Sequence, residues 1–163
     1  MKSTYFSPDI QEFLLLLSKY GVKYVIVGGE AVIYYGYARL TGDIDIFFEP
    51  SQENAEKLYE LLTEFWDGEI PGLTCKEELL EPGVIIQFGV PPNRIDLINK
   101  IDAVLFDDAW QHRMSETITL DNELIPVYFI GIEQLIKNKA SLERPKDLED
   151  LKYLRRRLEM KKP

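Results

Sequence analysis

The chain has 163 residues, of which 45% are hydrophobic and 29% are charged. This length and ordinary globular composition predict one domain with a buried core, and no apolar run approaches the roughly 20 residues that a membrane span requires. The formal net charge of -9 excludes a protein that coats nucleic acid nonspecifically, because neutralising phosphates needs a surplus of Lys and Arg.

The cysteine content and the N-terminal residues bear on the cellular compartment. Cys75 is the only cysteine in the sequence, which excludes an intramolecular disulfide and a structural zinc site based on cysteines. Residues 1–5 lead into a polar helix start rather than an apolar signal core, so no secretion signal is expected. A cytoplasmic protein that does not associate with membranes fits these features best.

The first third of the chain predicts two helices around a buried strand. A capping hydroxyl and a proline, followed by apolar residues at helical spacing, predict a helix over residues 8–20. The β-branched run at residues 24–27 is typical of a buried strand. The glycine pair at residues 28–29 ends that strand, and a brief helix is expected over residues 30–35.

The middle of the chain predicts three strands and a helix. Alternating polarity at residues 44–48 indicates a strand with one polar and one apolar face. A capping serine begins a helix expected over residues 51–65. The pattern at residues 71–81 is ambiguous. Residues 84–88 and 94–98 predict two strands joined as a hairpin.

The last third of the chain ends in two predicted helices. Residues 102–112 predict a helical turn or two, and residues 116–128 contain two β-like runs separated by a polar turn. Residues 132–142 and 145–158 have apolar residues at helical spacing and predict two helices.

These elements predict one domain over residues 1–163, with C-terminal helices at about residues 132–158 packed on it. Strands and helices are mixed, and no repeat or linker divides the chain. The expected fold class is α+β (mixed α/β), with a mixed central sheet flanked by helices.

Asp43 and Asp45 are the first candidate site residues. Residues two apart in a strand point to the same face, so the two carboxylates project side by side. Like charges at that distance need a cation to remain ionised, and Mg²⁺ prefers such oxygen ligands. The alternative is an edge strand with a solvated polar face, and the aspartate pair by itself favours that alternative.

Gly28 and Gly29 stand between a predicted buried strand and a helix. Backbone amides and the positive end of a helix dipole can face an anionic phosphate there, with no β-carbon in the way. A tight strand-to-helix turn is the alternative interpretation, and it is favoured when the glycine pair is taken alone.

Asp96 is the single carboxylate in an otherwise apolar predicted strand. Burying an acid is costly unless it meets a cation or a hydrogen-bond donor. Arg94 is not expected to be its partner on the same face. The sequence therefore indicates that Asp96 meets a cation or a hydrogen-bond donor supplied from elsewhere.

Three segments follow in the order of a glycine turn, a paired-acid strand and a third acid on a later strand: Val27-Gly28-Gly29, Asp43-Ile44-Asp45-Ile46 and Ile95-Asp96-Leu97. In this order they resemble the DNA polymerase beta-type nucleotidyltransferase superfamily. The run between the first two segments is similar to small bacterial and archaeal members. Residues 135–140 and 144–150 resemble the closing helices of abortive-infection type nucleotidyltransferase toxins and their uncharacterised relatives. The resemblance spans about residues 25–154.

The resemblance implies a nucleotidyltransferase fold and a magnesium-dependent transfer of a nucleoside monophosphate from an NTP, such as ATP or GTP, to a hydroxyl acceptor. It implies that Asp43 and Asp45 bind magnesium, with two ions expected. It also implies that Asp96 completes the metal site and helps to deprotonate the attacking hydroxyl, and that Lys139 reaches the triphosphate.

Further roles are less specific. Arg39 and Thr41 precede the acid pair, where they can contact phosphate oxygens or serve as surface-loop residues. Asp147 is a further active-site acid, a residue that orients Lys139 or Arg144, or a first-turn residue stabilised by the helix dipole.

The similarity to toxins also implies partners, namely an RNA acceptor such as tRNA and an antitoxin protein. Basic residues cluster late in the chain and can meet an RNA backbone, although cations near a helix C-terminus explain residues 155–157 equally well. The single histidine, His112, has no nucleophile turn near it, which argues against serine-hydrolase chemistry.

Glu30 departs from the pattern of the superfamily. Relatives more often have a neutral or basic side chain after the glycine pair, and an anion near incoming phosphates is unfavourable unless it points away or binds metal. The alternative function is therefore a non-catalytic nucleotide-binding or interaction module with the same fold.

Overall fold

The computed structural model describes residues 1–2 and 5–162. The elements of its first part are α1 (Pro8–Lys19), β1 (Tyr24–Val27), α2 (Gly28–Tyr34), β2 (Asp43–Phe48) and α3 (Gln52–Phe65). They are followed by a short 3₁₀ helix (Lys76–Leu80), β3 (Ile85–Phe88), β4 (Arg94–Ile98), α4 (Phe106–Gln111), β5 (Met114–Leu120), β6 (Glu123–Phe129), α5 (Ile132–Ser141) and α6 (Pro145–Met160).

The six strands form one mixed sheet in the order β3-β4-β2-β1-β6-β5. β2 is antiparallel to β1 and parallel to β4, while β1 is parallel to β6. Helices cover the sheet on both faces. The predicted α+β class with a mixed central sheet flanked by helices is therefore confirmed.

Both predicted strand pairs near the ends of the sheet are present. β3 and β4 form the expected hairpin, with Ile85 opposite Ile98. β5 and β6 turn at Asp121 and Asn122, whose positive φ angles of 48° and 65° are typical of a tight two-residue hairpin turn. The brief helix expected at residue 30 begins earlier, because Gly28 enters it directly from β1 with a φ of +63°.

The alternation along β2 separates the core into two clusters. Ile44, Ile46 and Phe48 pack with residues of α1 and α3 on one face of the sheet. Phe47 points to the other face, where it meets Phe106 of α4 with the two rings at 5.2 Å. Asp43 and Asp45 share this second face, because side chains two apart in a strand point the same way.

The C-terminal helices belong to the second cluster. Leu135 of α5 and Leu154 of α6 pack there with Val25 and Val27 of β1. This shared core supports the proposal that the chain forms one folding unit. Within residues 1–2 and 5–162, no helix combines the length and apolar character of a membrane span.

Asn54 joins the chain segments that lead into β1 and out of β2. Its Oδ1 accepts from the Lys23 backbone N–H at 2.8 Å. Its Nδ2 donates to the backbone carbonyls of Lys23 and Glu49, each at 3.0 Å. The side chain is 3% exposed. Water therefore cannot take its place as the hydrogen-bond partner of these backbone groups.

We expect Asn54→Ala to lower the free energy of unfolding by about 1–3 kcal/mol, because it leaves buried backbone groups without partners. Urea unfolding measures the change. Gln52→Ala, an exposed substitution in the same first turn of α3, is the control and should stay within about 0.5 kcal/mol of the wild type. Equal effects of the two substitutions would contradict the assigned role of Asn54.

Candidate functional site

Asp43, Asp45 and Asp96 come together on one face of the sheet. β2 and β4 are parallel neighbours, and Asp45 lies opposite Asp96 in their register. Asp43 projects beside Asp45 because side chains two apart in a strand share a face. One carboxylate oxygen from each of the three residues lies within 4.8 Å of the others. The structure thus brings together the three acids that the sequence predicts as metal ligands, and such an oxygen-only donor set suits Mg²⁺.

The environment of Asp45 disfavours its charged form. Burial is the main cause, and the negative charges of Asp43 and Asp96 add to it, so that the pKa of Asp45 is raised to about 7. The positive charges of Lys139 and Arg94 oppose this shift without cancelling it. A divalent cation at this position would relieve the repulsion and keep Asp45 ionised.

Arg94 bridges two of the acids, and the expectation that it does not pair with Asp96 is wrong. Its Nε donates to Asp96 Oδ1 at 2.8 Å, and its Nη2 donates to Asp96 Oδ2 at 3.0 Å and to Asp43 Oδ2 at 2.6 Å. Residues 94 and 96 are two apart in β4 and therefore share a face, whereas only adjacent strand residues point to opposite sides.

Two uncharged side chains also hold the acids. Thr41 Oγ1 donates to Asp43 Oδ1 at 3.1 Å, and Gln87 Nε2 donates to Asp96 Oδ2 at 3.1 Å. Gln87 lies on β3, opposite Asp96 in the hairpin register. It was not predicted from the sequence, where its one signal is a polar side chain in an otherwise apolar strand.

The glycine pair packs directly against the site. A β-carbon on Gly28 would lie 2.0 Å from Asp45 Oδ2, and one on Gly29 would lie 2.7 Å from Thr41 Oγ1. A side chain at either position would therefore force Asp45 or Thr41 out of its place. The tight-turn interpretation of this pair is confirmed, because Gly28 leads from β1 into α2 and lies against Asp45. That the pair also faces a phosphate stays a prediction.

The acids face a cavity of about 250 Å³. Its other walls are polar and largely basic. The residues that line it are Gly28, Gly29, Arg39, Thr41, Asp43, Asp45, Arg94, Asp96, Lys139, Arg144 and Lys146. One side of the cavity is thus suited to a divalent cation and the other to an anion.

Lys139 is held by two buried carboxylates at the edge of this cavity. Its Nζ lies 2.8 Å from Asp147 Oδ1 and 3.0 Å from Asp150 Oδ2. The lysine is 3% exposed, and the two aspartates are 0% and 1% exposed. Asp147 and Asp150, both on α6, thus fix the position of the ammonium group.

The same two aspartates hold two of the three arginines that line the cavity, Arg39 and Arg144. Arg39 Nε lies 2.9 Å from Asp150 Oδ1, and Arg144 Nε donates to Asp147 Oδ2 at 2.5 Å. Although burial alone would raise the pKa of Asp147, hydrogen bonds from Arg144 and Lys139 lower it. Of the alternatives for Asp147, the structure places it where it orients Lys139 and Arg144.

Asp150 is a charged residue that supports the site and that sequence reasoning missed, as it missed the cavity residues Arg94 and Lys146. It lies three residues after Asp147 and four before Leu154, so all three fall on the buried side of α6. An acid on the apolar face of an otherwise solvated helix is a recognisable signal for a buried ion pair. Its partners are distant in sequence and cannot be identified from that signal.

Glu30 points toward Tyr5 and is not among the residues that line the cavity. Tyr5 Oη donates to Glu30 Oε2 at 2.9 Å. Burial is the main cause that raises the pKa of the Glu30 carboxyl, and the charge of Asp43 adds to it. The departure at this position therefore leaves the walls of the cavity unchanged.

A second cavity, of about 320 Å³, shares Gly28, Asp45, Asp96, Lys139 and Arg144 with the first. Its lining is more apolar and includes Ile85, Ile98 and Leu142. A larger cavity of about 570 Å³ lies beyond the ends of β2 and β4 and contains none of the three acids. The chemistry of the acids is therefore confined to the two smaller cavities.

Comparison with known families gives one finding. A family model described as a nucleotidyltransferase of unknown function (DUF6036) matches residues 8–161. The matched region includes every residue of the cavity with the acids. No curated protein matches the chain.

We expect Gly28→Ala to disturb the site more than Gly21→Ala does. Both glycines have a φ near +60°, at +63° and +64°, but only Gly28 would place a β-carbon against another group, Asp45. Gly21→Ala should cost about 1–2 kcal/mol of unfolding free energy through backbone strain alone. Gly28→Ala should cost more and should also weaken Mn²⁺ binding measured by calorimetry. Equal losses of stability with equal Mn²⁺ affinity would contradict this packing.

The raised pKa of Asp45 predicts a pH dependence of stability in the metal-free protein. The folded state holds a proton that the unfolded chain releases, so the stabilisation is present at low pH and is lost as pH rises through about 7. In EDTA, the urea midpoint should fall as pH rises from about 4 to about 7, between the unfolded and folded pKa values of Asp45, and should level off above pH 7. Asp45→Asn should flatten this fall, while the exposed control Asp107→Asn should keep it. A wild-type slope in Asp45→Asn would contradict the assignment.

Proposed function

Because the chain belongs to this family of nucleotidyltransferases, we propose that it transfers a nucleoside monophosphate from an NTP to a hydroxyl acceptor in a magnesium-dependent reaction. The observation that carries the proposal is the cavity in which Asp43, Asp45 and Asp96 face a basic wall. Such an arrangement supplies ligands for a cation and partners for a triphosphate within one space.

The three acids would hold the magnesium, with two ions expected. When bound, the ions neutralise the triphosphate and activate the acceptor hydroxyl. Asp43 and Asp45 present their carboxylates side by side from β2, and Asp96 presents its carboxylate from β4. Asp96 would accept the proton of the attacking hydroxyl.

The basic wall would bind the triphosphate. Lys139 has three N–H donors, two of which meet Asp147 and Asp150, so that one remains for a phosphate oxygen. Arg144 is anchored through Asp147, yet its side chain is 57% exposed. Arg39, Thr41, Lys146 and the backbone of Gly28 and Gly29 complete the contact surface around the phosphates.

The bond changes follow from this placement. The acceptor oxygen forms a bond to the α-phosphorus, and the bond between that phosphorus and the oxygen bridging to the β-phosphate breaks. Pyrophosphate leaves toward the basic wall, which is already arranged for its charge. The second cavity, which shares Asp45 and Asp96 with the first, gives the acceptor room beside the acids.

An RNA acceptor such as tRNA is the acceptor class that we propose. Lys146, Tyr153 and Arg157 are seven and four residues apart on α6 and share one side of the helix. Lys146 lines the cavity, and Tyr153 stacks on Tyr37 with ring centroids 4.8 Å apart. A basic and aromatic strip that begins at the active site is the kind of surface that tracks a nucleic-acid strand.

A toxin role, restrained by an antitoxin protein, is the corresponding biological proposal. Its support is the resemblance of the C-terminal segment to abortive-infection type toxins. Growth arrest on expression that disappears with Asp45→Ala is the expected behaviour, whereas harmless expression of the active protein would count against this role.

We expect transfer from an α-labelled NTP in magnesium, assayed with total RNA, total protein and small hydroxylated acceptors. Asp45→Asn and Asp96→Asn should each lower transfer by more than about 100-fold, since even outer partners of a metal site cost ~10–100-fold when removed. Asp107→Asn, an exposed acid on α4, should retain wild-type transfer. Unchanged transfer in the two site variants would refute the metal assignment.

The basic wall is tested in the same assay with Arg144→Gln. It should raise the KM for the nucleotide by about tenfold or more, because a hydrogen bond to a charged group is worth about 1.5–3 kcal/mol. Arg155→Gln, an exposed arginine on α6 away from the cavity, is the matched control. Magnesium-dependent nucleotide binding without transfer to any acceptor would favour the alternative of a non-catalytic nucleotide-binding module.

A further inference from the structure

Arg94 places a positive charge between the acids that the metal ions would use. Its guanidinium lies 2.6 Å from Asp43 and 2.8 Å from Asp96. In the parallel register of β2 and β4, Arg94 is the direct partner of Asp43. The contact is therefore set by strand pairing and is not a chance meeting of long surface side chains.

Hydrogen bonds already occupy every carboxylate oxygen of these two acids. Asp96 Oδ1 accepts from Arg94, and Asp96 Oδ2 accepts from both Arg94 and Gln87. Asp43 Oδ1 accepts from Thr41, and Asp43 Oδ2 accepts from Arg94. A divalent cation that binds these oxygens brings a second positive charge next to the guanidinium and repels it.

A displaced Arg94 has a new partner close at hand. The residue lines the cavity together with Arg39, Lys139 and Arg144, and its side chain is 29% exposed. A guanidinium forms short, directional pairs with phosphate as readily as with carboxylate. A nucleotide bound against the basic wall would therefore lie within the reach of Arg94.

We propose that Arg94 is a positioning residue that exchanges partners during substrate binding. Without metal it holds Asp43 and Asp96 together, and when a divalent cation takes these acids its guanidinium turns to a phosphate of the nucleotide. The inference rests on the proposed function and adds a coupling between two ligands of the same site. Metal alone must displace Arg94 unaided, whereas metal with nucleotide gives the displaced guanidinium a partner, so each ligand strengthens the binding of the other.

The test is Mn²⁺ binding, measured by electron paramagnetic resonance and calorimetry, with and without a nonhydrolysable NTP analogue. For the wild type, the analogue should tighten Mn²⁺ binding by about fivefold or more, the lower end of usual coupling between sites. In Arg94→Gln, Mn²⁺ alone should bind more tightly than in the wild type, and the effect of the analogue should shrink. Arg155→Gln should behave as the wild type.

Arg94→Lys keeps the result interpretable if Arg94→Gln folds poorly in EDTA, which thermal unfolding would show. An ammonium keeps the positive charge but lacks the planar fork that meets both carboxylates. The affinity of the Arg94→Lys variant for Mn²⁺ alone should be higher than that of the wild type. Equal or weaker Mn²⁺ affinity in the folded Arg94 variants, or a nucleotide effect that is unchanged by them, would overturn the inference.

This experiment separates the inference from the proposed function because it needs no turnover. If Mn²⁺ binding and analogue binding are coupled through Arg94 but the protein transfers no nucleotide, the proposed reaction is wrong and the partner exchange stands. If transfer depends on Asp45 and Asp96 but the Mn²⁺ affinity does not change in the Arg94 variants, the proposed reaction stands and the partner exchange fails. Absence of Mn²⁺ binding in every variant would overturn both the metal assignment and the partner exchange.

Discussion

The parallel pairing of β2 with β4 fixes the rest of the site. Its register sets Asp43 beside Arg94 and Asp45 beside Asp96. A slip of one residue would turn Asp96 to the opposite face, because side chains alternate along a strand. That slip is opposed by the core, since Ile44, Ile46, Ile95 and Leu97 must all meet the cluster formed with α1 and α3. The apolar pattern that builds the core therefore also aligns the acids.

Three carboxylates on one face of the sheet repel one another, and positive charges from two parts of the fold reduce this repulsion. From within the sheet, Arg94 bonds to Asp43 and Asp96. From the helical layer, the charge of Lys139 on α5 acts on Asp45. Lys139 is itself kept in place by Asp147 and Asp150 of α6, so the docking of α6 and the electrostatics of the acids depend on each other. A chain with a net charge of -9 thereby presents a local basic wall.

Much of this arrangement can be read from the sequence wherever short-range rules apply. Period-two alternation predicts the shared face of Asp43 and Asp45, and helical spacing predicts α5 and α6. The same rule, misapplied, hid the pairing of Arg94 with Asp96, because residues two apart share a face. Contacts between distant parts of the chain cannot be read in this way. Arg39 meets Asp150 across 111 residues, and a polar loop residue has many alternative partners in the sequence. The direction of Glu30 likewise depends on Tyr5, 25 residues earlier in the chain, whose hydroxyl donates to the Glu30 carboxylate.

The glycine turn and the paired acids are one packed unit, which changes what their joint appearance in a sequence means. A β-carbon at residue 28 would overlap the Asp45 carboxylate at 2.0 Å, so the glycine is required by the acid strand whether or not a phosphate binds there. The presence of Gly28 together with Asp45 therefore indicates a packing arrangement, in which the carboxylates of a strand lie against the start of α2. Turnover needs more than this geometry, because in the proposed reaction the acids also exchange the guanidinium of Arg94 for a metal ion. On the proposed function, Arg94 and the basic residues of the cavity therefore distinguish a working transferase from a nucleotide-binding fold, whereas the glycine turn does not.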